Sequence, residues 1–377
     1  MLSAMLLVAC EDNDDTKNNG GNLSINWISA ADSSSLSLIT HFWNTSKHHF
    51  NNDPLGNISQ YDYWPEAHGL DVLVDAYIRT GSEIYSSAIY DFYEGVKTKN
   101  GNRFWNNFYD DMAWHGLAHL RALEATKDIR YEQSAKDLWA WVIEGWDGYE
   151  GGGIRWNHDD TKEGMSKGVP SNGPAAIIAA RRWQKYGKSE IIQGKNDSTW
   201  LTLIYGWIKE NRFEPQSGRV FESKTDKGGD WTYNAGTFIG AALEFYKITG
   251  EKIYLNDAVK TADWAIATLV NTNNNVLSDW AEQQDHDVNL FKGIFVRYFT
   301  QLILNQDLPE TARKRYINFM KNSAGYLWRQ GTQKIPVVLF GYHWWEKPDN
   351  TASLRAQLSG CMMMEAMALL KEKGMLE

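Results

Sequence analysis

Apolar residues recur at helical spacing along almost the whole chain from about residue 31 onward. Intervals of three and four residues place apolar side chains on one face of a helix, whereas a strand would alternate them. The pattern predicts twelve helices, at about 32–49, 66–80, 83–98, 110–126, 131–145, 172–186, 197–212, 233–248, 251–270, 290–305, 310–329 and 353–372.

Three short turns between these helices look alike: residues 80–85, 126–131 and 249–254 each run from Thr to Tyr. In the first and third, a Gly stops one helix before Ser or Glu starts the next. The first two turns start 46 residues apart and the last two 123 apart, which fits one and two repeats of roughly 45 to 65 residues and indicates an internal repeat of helical hairpins. Six hairpins can close into a ring, so we predict an all-α fold, an (α/α)6 barrel of twelve helices. An open solenoid of helix pairs is the alternative.

Closure is favoured by the composition of individual helices. An inner helix of such a ring is packed on both sides, so its residues should be small, and they should be apolar on every face of the helix. Residues 173–180 read GPAAIIAA and residues 235–242 read AGTFIGAA, whereas residues 131–139 read YEQSAKDLW and are amphipathic. No obvious terminal caps are present, which also favours a ring.

Long loops rich in Gly and Trp separate the hairpins, at 147–171, 214–231, 271–289 and 331–351. Loops of this length in a compact domain usually carry function. We expect them to cluster at one end of the barrel and to form a groove there.

The first ten residues, MLSAMLLVAC, resemble a bacterial lipobox, in which the Cys becomes the lipidated mature N-terminus. The apolar run is far too short to span a bilayer. We therefore predict a lipoprotein signal peptide at 1–9 and lipidation at Cys10. No Lys or Arg precedes the run, so a plain signal peptide or a frayed terminus is the alternative.

Residues 10–30 are polar, begin with the acidic stretch EDNDD after Cys10, and lack apolar periodicity. They predict a disordered tether ahead of a single barrel domain at 31–377. The acidic stretch resembles the surface-export signal of Bacteroidetes lipoproteins. The resemblance implies an outer-membrane lipoprotein at the cell surface or in the periplasm, with the membrane as a partner through its anchor. Cys361 lies in a helical run and should be a buried apolar residue.

Composition narrows the partners. The 377 residues carry a formal net charge of −9 and no long basic runs, which argues against nucleic acid and anionic membrane surfaces. The chain contains 18 Trp and 18 Tyr. These side chains stack on the apolar faces of sugar rings, although large helical cores also use many aromatics. A neutral glycan fits best, and we expect the chain to act as a monomer.

Asp110 and Asp111 open the fourth predicted helix, an inner one. Acids at a helix start cap free N–H groups and favour the dipole, which is the structural interpretation. Adjacent residues at a helix start also have Cβ atoms about 5–6 Å apart. Retaining glycosidases need two carboxyl groups about 5–5.5 Å apart, one as nucleophile and one as acid. Like charges and the helix start should separate the two pKa values.

The sequence around this pair resembles the signature of glycoside hydrolase family 76, the bacterial endo-α-1,6-mannanases. The matching segments follow in chain order: YDDMAW at 109–114, GGIRW at 152–156, Lys167 with SNGPA at 171–175, YNAGTFIGA at 233–241 and FKGIFVR at 291–297. The resemblance runs from about residue 32 to the C-terminus. At Ala235 the chain departs from the family, which often has Gln there.

The resemblance implies an (α/α)6 fold, a retaining mechanism, α-mannan as the substrate and no metal or cofactor. By match to the family, Asp110 is the nucleophile and Asp111 the acid/base. The implied reaction is cleavage of internal α-1,6-mannosidic bonds of fungal mannan by double displacement. Transglycosylation is an alternative within the class, because another sugar hydroxyl could accept the intermediate.

Further residues are predicted to bind substrate because they open inner helices or follow a Gly run, near the expected barrel mouth. Each has a structural alternative: core packing for the aromatic residues, helix capping for Asn172 and ion pairing for Lys292. The predicted set comprises Trp64, Tyr109, Trp156, Asn172, Asp230, Trp231, Tyr233, Phe291 and Lys292.

Two other clusters are interpreted as structural. His115 and His119 have zinc-site spacing, but Gly116 replaces the Glu of the H-E-x-x-H motif and no third ligand is evident. We therefore expect them to pack between helices. The acidic stretch at 285–287 is predicted to be a solvated loop.

Two functions from other classes stay open at this point. One is a surface glycan-binding lipoprotein without turnover. The other is a polysaccharide lyase on the same barrel type, which would need basic residues to neutralise a uronate substrate. The net acidity of the chain argues mildly against the lyase.

Overall fold

The structure is a computed structural model that describes residues 24–58, 62–187, 190–222, 229–284, 286–348 and 352–376. The predicted signal peptide, Cys10 and most of the predicted tether lie outside the described residues.

Twelve α-helices make up most of the described chain. In chain order they are α1 Trp27–Ser37, α2 Trp64–Thr80, α3 Glu83–Lys99, α4 Tyr109–Thr126, α5 Arg130–Glu144, α6 Val169–Tyr186, α7 Asp197–Asn211, α8 Thr232–Thr249, α9 Lys252–Thr268, α10 Val288–Leu304, α11 Glu310–Arg329 and α12 Leu354–Glu372. Eleven of them lie within three residues of the predicted bounds at either end.

The helices form two concentric layers. The even-numbered helices α2 to α12 each pack against the next even-numbered helix, and α12 packs against α2, which closes the inner ring. Helices α3, α5, α7 and α9 pack on the inner helices that precede them, whereas α1 packs mainly on α12, and α11 contacts both α10 and α12. The predicted all-α barrel is therefore confirmed, with the core between the two layers.

The first predicted helix is wrong at both ends. Helix α1 begins at Trp27, because the side chain of Asn26 accepts a hydrogen bond from Ser29 N at 3.2 Å and caps the helix there. After Ser37 the chain makes a π-helical turn at Leu38–Phe42 and then a hairpin of β1 Trp43–Asn44 and β2 His49–Phe50. The side chain of Asn44 accepts from backbone N–H groups in this turn, in competition with the helix.

Two further antiparallel hairpins lie between helices: β3 Ile191–Ile192 with β4 Lys195–Asn196, and β5 Thr332–Gln333 with β6 Leu339–Phe340. These short pairs leave the helical architecture unchanged. No helix in the described ranges is long and apolar enough to span a membrane.

The length of each connection decides which end of the barrel carries the loops. The three similar turns follow the inner helices α2, α4 and α8, and each has a left-handed residue at the helix end: Gly81, Lys127 and Gly250. The long loops instead lead from outer helices into the N-terminal ends of inner helices. They therefore gather at one end of the ring, where the inner helices begin.

Candidate active site

A cavity of about 960 Å³ opens at the end of the barrel where the inner helices begin. This volume suits a bound oligosaccharide, since small-ligand pockets usually measure about 300–1,000 Å³. All six inner helices contribute a side chain from their first turn: Trp64, Asp111, Ser171, Tyr233, Phe291 and Arg355. The preceding loops add Asp62, Phe108, Trp156, Lys167, Glu222 and Asp287.

Asp110 and Asp111 both line this cavity from the first turn of α4. Phe108, the residue before the helix, provides no side-chain cap. Asp110 and Asp111 are the acidic residues of the first turn, at the positive end of the helix dipole. The Oδ1 atom of Asp110 is buried and has no hydrogen-bond partner among the described residues. Asp110 thus keeps an unpaired acceptor in the wall of the cavity.

The surroundings raise the pKa of both acids, and the contributing groups differ. Burial raises the pKa of Asp110 to about 7, although backbone N–H groups at the helix start and the side chain of Trp156 act to lower it. Burial raises the pKa of Asp111 well above its usual range, and the charges of Asp110, Asp287 and Asp62 raise it further. Burial and the neighbouring acids therefore favour a retained proton, which an acid catalyst requires, while the helix start and Trp156 favour the ionised form of Asp110, which a nucleophile requires.

Arg355 links two further carboxylates beside this pair. Its guanidinium forms an ion pair with Asp62, and its Nε donates to Asp287 Oδ1 at 2.9 Å. The indole of Trp64 donates to the same oxygen of Asp287 at 3.3 Å. This arrangement holds a cation between two acids whose charges bear on Asp111.

Asp287 lies on an exposed loop, as predicted for residues 285–287, with 55% of its side chain accessible, but the sequence did not predict that it also lines the cavity. Asp285 lies outside the described residues. Asp62 and Arg355 were also missed, because no local spacing connects residues 62, 287 and 355. Only the approach of α2, α10 and α12 brings them together.

Trp156 reaches the cavity on a short extended segment that runs beside the start of α4. Tyr109 N donates to Trp156 O at 2.9 Å, and Trp156 N donates to Ser166 O at 2.8 Å. Its ring lies 5.0 Å from that of Phe108 between centroids. The backbone on both sides is therefore fixed, and the indole borders the same space as Asp110.

Asn172 holds this segment in place and is not part of the cavity wall. It is fully buried in α6, where its amide accepts from Ile154 N at 2.8 Å and donates to the carbonyls of Ile154 and Gly168. The side chain of Asn172 therefore neither caps the helix nor faces the cavity, the two roles considered from the sequence. Helix α6 begins three residues earlier than predicted, at Val169, so Asn172 lies inside it.

Lys292 is also buried, in contrast to the predicted place at the barrel mouth. Its ammonium forms an ion pair with the buried Glu282 and donates to Tyr342 O at 2.8 Å. These contacts tie together the two loops that contain Glu282 and Tyr342. The ion-pairing alternative, which the sequence left open, describes its contacts.

Three other predicted residues lie outside the cavity wall. Tyr109 is buried and stacks on His158 at 4.1 Å between ring centroids. Asp230 accepts a hydrogen bond from Arg219 Nε at 2.7 Å. Trp231 stacks on Trp280 at 4.8 Å.

Tyr233 and Phe291 form an aromatic wall of the cavity. Their rings are parallel within 4° and 3.8 Å apart, and Trp64 lies 6.3 Å from Phe291. Glu222, which the sequence did not single out, accepts hydrogen bonds from the Tyr233 hydroxyl at 3.2 Å and from Asn234 Nδ2 at 2.6 Å. The cavity combines apolar ring faces with acceptor groups, which suits a polyhydroxylated ring.

His115 and His119 pack inside the barrel. His115 Nε2 hydrogen-bonds Tyr63 O at 2.9 Å, and His119 Nδ1 hydrogen-bonds Ser134 Oγ at 2.8 Å. Burial lowers the pKa of His115 to about 3. Within the described ranges, no group of three or more His, Cys, Asp or Glu side chains is placed to hold a metal ion.

The ring of helices, the cavity at its N-terminal end and the adjacent acids together define a glycosidase of the (α/α)6 class. Comparison with known proteins identifies the family. The model of glycosyl hydrolase family 76 matches residues 26–377, so the chain belongs to this family.

Solved structures agree with this assignment. The GH76A α-1,6-mannanase of Salegentibacter sp. HEL1_6 is 38% identical, with a TM-score of 0.83 over 92% of this chain and 100% of that one. A protein of Listeria innocua is 30% identical, with a TM-score of 0.79 over 92% of this chain and 98% of that one. No curated protein sequence matches the chain.

A third structure bears on ligand binding. An inactive variant of the Salegentibacter enzyme, with two consecutive aspartates replaced by asparagine, was solved in complex with α-1,6-mannotriose. It is 36% identical to this chain, with a TM-score of 0.82 over 92% of this chain and 100% of that one.

Proposed function

We propose that this glycosidase cleaves internal α-1,6-mannosidic bonds of mannan with retention of configuration. The observation that carries the proposal is the presence of the adjacent acids Asp110 and Asp111, both with raised pKa values, in one cavity lined by aromatic residues. Support for the substrate comes from the mannanase of Salegentibacter sp. HEL1_6, whose inactive variant holds α-1,6-mannotriose.

In the proposed first step, the ionised Asp110 attacks the anomeric carbon while Asp111 gives its proton to the leaving oxygen. The glycosidic bond breaks and a mannosyl ester of Asp110 forms. In the second step Asp111 takes a proton from water, and the water oxygen attacks the anomeric carbon and releases Asp110. A sugar hydroxyl in place of water would give transglycosylation.

Substrate binding is proposed to use the wall residues Trp64, Trp156, Tyr233 and Phe291, whose side chains border the cavity. Sugar rings offer apolar C–H faces to such side chains, and the nearby carboxylates accept hydrogen bonds from hydroxyl groups.

The decisive experiment incubates the protein with linear α-1,6-mannan, sizes the products and follows the first anomer by proton NMR. We expect oligosaccharides of mixed length and first products in the α configuration. Asp110→Ala and Asp111→Ala should each lose activity by about 10²–10⁴-fold or more, since each removes one reacting group. The matched control is Asp160→Ala: Asp159 and Asp160 are also adjacent, but neither lines the cavity.

Each alternative outcome overturns a stated part of the proposal. An absence of oligosaccharides from the wild-type protein, with mannan binding intact, would indicate a glycan-binding protein. First products in the β configuration would exclude retention. An unsaturated product absorbing in the ultraviolet would indicate a lyase. Release of only mono- or disaccharides from one chain end would exclude endo action.

We further propose that Cys10 carries a lipid that anchors a monomeric enzyme to the outer membrane, at the surface or the periplasmic face. Support comes from the lipobox-like run before Cys10 and the acidic stretch after it. A single acyl chain binds a membrane only weakly, so we expect Cys10 to carry more than one acyl chain. In a Gram-negative host, wild-type protein should incorporate a palmitate label and fractionate with membranes. Cys10→Ser should abolish both the labelling and the membrane association. Equal labelling of the wild-type protein and the Cys10→Ser variant would exclude the anchor.

A further inference from the structure

Trp280 is held at the surface with 72% of its area exposed, in the loop between α9 and α10. An indole left in water forgoes the free energy that burial would supply. A single exposed apolar residue needs no explanation by itself. The contacts around Trp280 nevertheless suggest a reason for its exposure.

The backbone beside Trp280 is fixed by a buried polar network. Asp279, its neighbour, is buried and accepts from Thr232 N at 2.8 Å and from Thr232 Oγ1 at 2.7 Å. Asp279 N in turn donates to Glu282 Oε1 at 3.0 Å, and Glu282 is ion-paired with Lys292. The loop is thereby fastened to the starts of α8 and α10, two of the helices that form the cavity.

A continuous series of rings connects Trp280 to the cavity. Trp280 stacks on Trp231 with 4.8 Å between centroids and 19° between planes. Trp231 meets Phe291 edge-on at 5.8 Å, and Phe291 lies flat against Tyr233. Phe291 and Tyr233 line the cavity, so the exposed indole extends its aromatic wall outward.

We propose that Trp280, backed by Trp231, forms a distal subsite that stacks on a sugar residue of a glycan chain extending out of the cavity. The inference rests on the proposed function, since it takes the ligand to be linear α-1,6-mannan. Trp231 covers one side of the Trp280 ring, and a pyranose can lie against exposed ring surface. Such a subsite favours long chains over short ones.

The test measures binding in an inactive background, Asp110→Asn with Asp111→Asn, by isothermal titration calorimetry. The ligands are linear α-1,6-mannan and α-1,6-mannotriose. We expect Trp280→Ala to reduce the ratio of mannan affinity to mannotriose affinity about tenfold, and Trp280→Phe to restore most of it. In the active enzyme the same loss should appear as a higher KM for mannan with kcat retained.

The matched control is Tyr90→Ala, which removes an exposed aromatic residue from the outer helix α3. It should leave the affinity ratio unchanged. An unchanged ratio in Trp280→Ala, or an equal loss for both ligands, would overturn the distal subsite alone. Failure of the wild-type enzyme to cleave mannan, with no binding of either ligand, would overturn the proposed function and this subsite together.

Discussion

The two acids of the site are kept where ionisation is unfavourable. Burial is the largest cause that raises the pKa of Asp110, to about 7, and it also raises the pKa of Asp111 well above its usual range. A carboxyl group that binds its proton more tightly in the folded chain lowers stability once it ionises. The pair therefore represents a cost in stability that the reaction requires.

Replacing Asp110 by Asn should stabilise the protein in a pH-dependent way. In the unfolded chain the Asp ionises near pH 4, and in the folded chain near pH 7. Wild-type stability therefore falls as pH rises between these values, and the full cost is present above pH 7. Thermal unfolding should show a higher Tm for Asp110→Asn at pH 8 and little difference at pH 4.

Asp160→Asn serves as the reference for this comparison, because Asp160 is largely exposed. A Tm difference for Asp110→Asn that is the same at pH 4 and pH 8 would contradict the assigned burial of the Asp110 charge.

At the scale of elements, inner helices approach each other closely because they carry small residues. A Cβ added at Gly236 in α8 would lie 2.6 Å from the Cα of Phe295 in α10, a backbone atom that cannot turn aside. Nearly every residue of α8 from Thr232 to Tyr246 is buried. The small residues from which we predicted the inner helices are therefore needed because the backbones of α8 and α10 come so close together.

Gly236→Ala should destabilise the protein by about 1–3 kcal/mol, since the added methyl group must push α8 and α10 apart. Gly206→Ala is the matched control within the outer helix α7, where a Cβ would meet nothing within 4 Å. It should stabilise by about 0.5–1 kcal/mol through helix propensity. Urea denaturation followed by circular dichroism measures both, and equal effects of the two variants would contradict the proposed crowding.

At the scale of the molecule, the two ends of the inner ring differ. The end where inner helices begin holds the cavity, and the first turns of all six inner helices, their positive ends, border it. Deeper in the barrel, Arg121 forms ion pairs with Asp71 and Asp75, and Arg297 pairs with the same two acids. These cations lower the pKa of Asp71 to about 2 despite its burial. Asp71 is buried, and the two guanidinium groups supply the opposite charge that a buried carboxylate requires.

Some of the site could be read from the sequence because it depends on neighbours in the chain. Asp110 and Asp111 are adjacent at a predicted helix start, and the aromatic residues Trp64, Tyr233 and Phe291 also lie in first turns of inner helices. A residue's place in a helix and the end of the ring it faces follow from periodicity and loop length. All five line the cavity.

The helical pattern, the small residues of the inner ring and the pairing of two acids were predictable, because each depends on residues that are close together in the chain. Which polar residues are buried, and which of them meet, depends instead on how the helices pack. Asn172 is buried and donates to a backbone carbonyl group. Lys292 is also buried, and it contacts a backbone carbonyl group and a buried acid. Arg355 joined Asp62 to Asp287 across three helices. Such contacts depend on closure of the ring, since a buried charge or amide needs a partner wherever the fold supplies one.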